Sequence, residues 1–176
     1  MSKVLFIRLW STVNWAFLFS CNNEKDKPAA TEKTPVDLPY TASYSSSWST
    51  DVSDADLKTV LTIYKDWADG NMSGLEKALA DTIAVDGSTG DHIVKPKADM
   101  IKIWGIYRDS LSSIKIDMQG WHKMYSTDKK DGFIVTWYKE YDTYKNGKVD
   151  SASYHDINQV KDGKLIWYSS YKRPLK

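Results

Sequence analysis

The chain reads as an α+β domain, helices first and then a curved antiparallel sheet. Two observations predict this. Apolar residues recur at helical spacing from Leu57 to Ala68 and again from Ala98 to Leu111, and the period changes to two from Ser113 onward. Two turn dipeptides, Asn146-Gly147 and Asp162-Gly163, then divide the alternating half into long segments of hairpin type. Helices followed by strands pack as one helical layer against one sheet face.

The elements follow in order. Residues 1–20 hold Lys3 and Arg8, no acid, and an apolar run ending Phe17-Leu18-Phe19-Ser20. A positive start, a short apolar stretch and a small residue before a junction read as a secretory signal. The run from Leu9 to Ser20 is too short for a spanning helix, which takes about 20 apolar residues. Residues 21–50 read as a tether, with Pro28, Pro35 and Pro39 among Lys, Glu, Thr and Ser. The end of the tether, with Tyr40, Tyr44 and Trp48, suits an extended piece lying against the domain.

The domain is expected over 51–176. Ser53 with Asp56 has the spacing of a helix start, and Leu57, Val60, Leu61, Tyr64, Trp67 and Ala68 supply a stripe before Gly70-Asn71 stops it. Ser73 and Glu76 suggest a capping box for a short second helix carrying Leu75, Ala78 and Leu79. Thr82 to Asp86 reads as a strand ended by Gly87 and Gly90. A third helix is expected from Pro96, with Ala98, Ile101, Trp104, Ile106, Tyr107 and Leu111 on its apolar side. Ile114, Ile116 and Met118 then alternate until Gly120 shifts the phase to Trp121 and Tyr125, which suggests a bulge. Strands Phe133–Tyr144, Ser151–Lys161 and Lys164–Tyr171 complete a meander, with positive φ expected at both residues of each turn dipeptide.

Of 176 residues, 24 are Lys or Arg and 23 Asp or Glu, a net charge of +1. That balance gives no basic face for nucleic acid, so none is expected as partner. Cys21 is the only cysteine, which excludes an internal disulfide. The 8 Trp, 11 Tyr and 4 Phe favour an aromatic-lined cavity or a sticky sheet over a purely structural role. His92, His122 and His155 lack metal-ligand spacing, so no metal or cofactor is expected.

Leu18-Phe19-Ser20-Cys21 resembles the bacterial lipobox, which implies acylation of Cys21 and a membrane-anchored position in a bacterial cell envelope. Residues 52–172 resemble the nuclear transport factor two-like family, which includes ketosteroid isomerases and polyketide cyclases. The resemblance rests on His155-Asp156-Ile157-Asn158-Gln159-Val160-Lys161-Asp162-Gly163-Lys164-Leu165 as a final hairpin, and on Ala80-Asp81-Thr82-Ile83-Ala84-Val85-Asp86. It implies a cystatin-like roll, a cone-shaped cavity between curved sheet and three helices, and Asp156 in the place of the isomerases' cavity acid. Gly87, not Asp86, falls where their general base lies. Activity is not inherited with the fold.

The candidate site is therefore Asp156 as acid or base, with Tyr64, Trp67, Trp104, Tyr107, Tyr154 and Asn158 as a ligand pocket and Cys21 as lipid attachment. The leading expectation is a lipid-anchored protein binding a small, largely apolar or aromatic molecule. A proton-transfer enzyme using Asp156 and a protein-interaction module are the alternatives, and a homodimer is left open. Enzyme and binder separate on whether two titratable groups share one pocket.

Overall fold

A computed structural model describes residues 37–175, so the expectations for residues 1–20 and for Cys21 lie outside the described residues. The unit from Tyr40 onward contains three helices on one face of a curved, open, seven-stranded sheet.

Helix α1 (Asp54–Asp69) starts where Ser53 Oγ accepts the Asp56 amide at 3.0 Å and ends at Gly70, whose φ of 74° suits glycine. It buries Val60 and Tyr64 against the sheet. Helix α2 (Met72–Ala78) is capped by Asn71, whose Oδ1 accepts the Gly74 amide. The expected Ser73–Glu76 box does not form, because Asn71 is an equally good cap and comes directly after the Gly70 turn.

Strand β2 (Leu79–Asp86) turns back through Gly87–Gly90 into β3 (His92–Pro96), a strand the sequence reading missed. Four of β3's five residues are exposed, so it carries no apolar alternation. Helix α3 (Lys97–Asp109) follows Pro96 directly. Met100, Ile101 and Trp104 pack on Leu79, Ile83 and Leu165. Three residues of the expected stripe fall elsewhere: Ala98 and Ile106 are exposed, and Leu111 already opens the next strand.

The strands β4 (Leu111–Ser126), β5 (Asp131–Tyr144), β6 (Val149–Lys161) and β7 (Lys164–Pro174) form the antiparallel meander. The sheet as a whole is mixed, since β2 precedes the meander, joins its far edge and runs parallel to β7. At the other edge β1 (Trp48–Ser49) pairs with the end of β4, so the last residues of the 21–50 segment take part in the sheet.

A register shift between Met118 and Gly120 bends β4. Before it, Ile114, Ile116 and Met118 lie opposite Asp142, Glu140 and Tyr138; after it, Trp121, Lys123 and Tyr125 lie opposite Thr136, Ile134 and Gly132. The same sheet face thus continues with shifted parity. A Cβ at Gly120 would sit 3.3 Å from the Trp137 indole, which favours glycine there.

Both residues of the β6–β7 turn have positive φ, Asp162 at 52° and Gly163 at 73°. At the β5–β6 turn only Gly147 does, at 83°. There the loop is longer, the Gly147 amide reaches Tyr144 O at 2.9 Å, and Asn146 uses its side chain to accept the Lys148 amide.

Candidate functional site

Alternation along β5 puts Ile134, Thr136, Tyr138, Glu140 and Asp142 on the helix-covered face, and along β6 it puts Ala152, Tyr154, Asp156, Asn158 and Val160 there. Between this wall and the helices lies a cavity of about 430 Å³. That is within the ordinary range for a small-molecule site. Tyr64 and Trp67 from α1, Trp104 and Tyr107 from α3, and Tyr154, Asp156 and Asn158 from β6 all line it. Tyr138, Glu140, Tyr168, Ser170 and Lys172 line it too.

The floor is a hydrogen-bond network centred on Asp156 and Tyr64. Asp156 is 3% exposed, and its Oδ2 accepts the Tyr64 and Tyr138 hydroxyls, each at 2.9 Å. The Tyr64 oxygen lies 2.7 Å from Thr136 Oγ1 and accepts Asn158 Nδ2 at 3.0 Å, while Nδ2 also reaches Ile134 O. Burial raises the Asp156 pKa, against the pull of Ser170, Tyr138 and Tyr64. Burial, and then the Asp156 charge, pushes both tyrosines well above their ordinary value, so they remain donors. Asp156 Oδ1 has no hydrogen-bond partner among the described residues.

A second acid lines the same cavity. Glu140 is 7% exposed, and its pKa is pushed up to about 8 by burial first, then by the Asp142 and Asp156 charges. Trp67 and Lys172 oppose that rise. Asp142 accepts the Tyr107 hydroxyl at 2.9 Å, and Tyr107 stacks on Trp67 at 6.1 Å. Tyr138 stacks on Tyr154 at 5.2 Å. Lys172 lies over the Tyr154 ring with its ammonium 3.6 Å from Asp150.

The sequence reading did not single out Glu140, Asp142 or Tyr138. Lys139-Glu140-Tyr141-Asp142 resembles a solvated charged strand when taken residue by residue. The available signal was parity: Glu140 and Asp142 are in phase with Ile134 and Tyr138.

Asp86 has a different fate. It is not a lining residue but ends β2, where it accepts Trp167 Nε1 at 2.7 Å and meets His92 Nδ1 at 2.6 Å. Those contacts, His92 first and Trp167 second, lower its pKa. Any second acid for proton transfer thus comes from β5 rather than from β2. Among the described residues, no three His, Cys, Asp or Glu side chains are grouped as metal ligands.

No family model and no curated protein sequence matches the chain. Solved structures do resemble it. An LEH-like epoxide hydrolase from M. tuberculosis superposes with a TM-score of 0.58 at 8% identity, over 68% of this chain and 83% of that one. IdmH, a putative polyketide cyclase from Streptomyces antibioticus, gives 0.54 at 13% identity, over 66% and 91%. A putative polyketide cyclase from Xanthomonas campestris pv. campestris gives 0.54 at 16%, over 68% and 90%. At such identities the likeness concerns fold, and it agrees with the helix order, the bulged sheet and the cavity between them: the described domain has the nuclear transport factor two-like fold.

Proposed function

We propose that the protein binds a small, largely apolar molecule in the cavity between sheet and helices, and is held in a bacterial envelope by a lipid on Cys21. The observation that carries the binding half is the cavity itself, about 430 Å³ with aromatic walls and one buried polar floor. A pocket of that make-up orients a ligand through a few polar contacts and holds it by apolar burial. The purified chain is titrated with Nile red, a neutral apolar dye, alongside Ser170→Phe, which fills the cavity from β7. Enhanced emission with wild type, lost in a variant that still melts cooperatively, is the expected result. Equal emission from both proteins places the dye elsewhere and removes the reading. The anchoring half is tested in a bacterial host, where Cys21→Ser should leave the membrane fraction or stay unprocessed.

One observation favours a second reading, proton transfer on the bound molecule. Glu140 and Asp156 line the same cavity, and Glu140 is tuned to exchange a proton near neutral pH. This supports the enzyme alternative more than Asp156 alone did. Its signature is solvent deuterium entering an activated C–H position of a bound ketone, abolished in Glu140→Gln.

A further inference from the structure

Much of the hydrogen-bonding capacity of the cavity floor is already committed. Tyr64 and Tyr138 already donate to Asp156 Oδ2, and Asn158 Nδ2 is committed to Tyr64 and Ile134 O. Among the described residues Asp156 Oδ1, an acceptor on a lining residue that is 3% exposed, has no hydrogen-bond partner, while Ser170, paired with Asp156 across the sheet, favours its charged form. Glu140 adds a second lining carboxyl, and Asp142 stands behind it in phase on β5. The lining ammonium, Lys172, lies over the Tyr154 ring 3.6 Å from Asp150 and only partly offsets the rise in the Glu140 pKa. Arg108 is spent on the carbonyls of Trp67 and Ala68 at the end of α1. The walls beside Glu140 are two stacked aromatic pairs, Trp67 on Tyr107 and Tyr138 on Tyr154.

A ligand that completes this arrangement brings donors, positive charge and an apolar body. Neutral acceptors such as ketones would leave Asp156 Oδ1 unpaired, and a buried unpaired acceptor is costly. An anion would face Glu140 and Asp142. An ammonium group supplies N–H donors to the carboxyls and is attracted to the faces of aromatic rings. We propose that the cavity is selective for a small organic cation, a protonated amine on an apolar or aromatic body, with Glu140 as its counter-ion and Asp156 Oδ1 as a second acceptor. This rests on the cavity being a ligand site and names the chemistry it selects.

The cation must also draw Glu140 toward its charged form, because a positive partner offsets the burial that raises its pKa. Binding near pH 7 therefore releases protons.

Three probes of one shape separate the cases: phenethylamine, phenethyl alcohol and phenylacetate, titrated by calorimetry into the full chain at pH 7. Phenethylamine should bind at least about tenfold tighter than the alcohol, about 1.4 kcal/mol or more. Phenylacetate should be weakest. Amine binding should release up to about one proton, read from its heat in buffers of different ionisation enthalpy. In Glu140→Gln the preference for amine over alcohol should fall below about threefold and the proton release should vanish. If that variant does not fold, proton release in wild type decides alone. Alcohol binding as tightly as amine, or amine binding without proton release, overturns the cation assignment and leaves the cavity as a neutral-ligand site. No binding of any probe, together with no Nile red signal, overturns both readings.

Discussion

On the interior wall, Asp156 sits under the helices with two tyrosine hydroxyls on one oxygen and, among the described residues, no hydrogen-bond partner on the other. At the end of β2, Asp86 sits at the surface with a histidine and an indole N–H. The two carboxyls are the same chemical group, and their pKa values move in opposite directions. Desolvation governs the first and direct partners govern the second. What separates them is which sheet face each side chain takes and whether helices cover it. The candidate chemistry therefore belongs to the covered face of β5 and β6.

The largest effect is expected from Tyr64, which joins α1 to the floor through Asp156, Thr136 and Asn158. Tyr64→Ala removes a buried ring and leaves polar groups unpaired, so it should cost ~3–5 kcal/mol in chemical denaturation. A loss below about 1 kcal/mol would mean that the floor does not hold helix to sheet.

A smaller effect, on the order of a few kcal/mol, is expected from pH. Glu140 has a folded pKa of about 8, raised above its unfolded value. Its stabilising contribution is therefore full below the unfolded pKa, about 4.3, and is lost as pH rises through about 8. Asp156 and Asp142 shift in the same direction. Urea midpoints should fall steadily from pH 5 to pH 9, and Glu140→Gln should flatten much of that slope. A midpoint that rises over this range would contradict the interior wall as described.

How much of this was legible in the sequence follows from the same contrast. The meander, the Gly120 phase shift and the first helix cap were readable, because each depends on local periodicity or one side-chain hydrogen bond. Asp156 was placed through a resemblance in its own hairpin, and Tyr64 through helical spacing. Glu140 was not singled out. Its burial depends on pairing between β5 and its neighbours and on the helices above, neither of which shows in Lys139-Glu140-Tyr141-Asp142. The strand β3 escaped for the converse reason: an exposed edge strand needs no apolar pattern, and its turn glycines looked like a terminus.

Tyr138→Phe sharpens the contrast further. It deletes one of the two hydroxyls donating to Asp156 while keeping the stack on Tyr154. The expected cost is about 1–2 kcal/mol, with the Asp156 pKa moving further up in an NMR titration, since a donor favouring the charged form is gone. An unchanged titration would show that Tyr138 does not donate there.

The smallest effect is expected at Asp86, and its sign is opposite. Its pKa is lowered by His92 and Trp167, so its contribution is present above the unfolded carboxylate pKa and is lost as pH falls through the folded one. Asp86→Asn should therefore leave stability at pH 8 only slightly below wild type and remove part of the loss seen on acidification. Phenethylamine binding should be unchanged, because Asp86 does not line the cavity. The exposed position and the screening of such contacts keep the effect below those of Tyr64 and Glu140. If Asp86→Asn instead abolished ligand binding while leaving the melting curve intact, the acid on β2 would be part of the site. The interior wall would then no longer be sufficient, and the contrast between the two carboxyls would fail where it is most exposed to test.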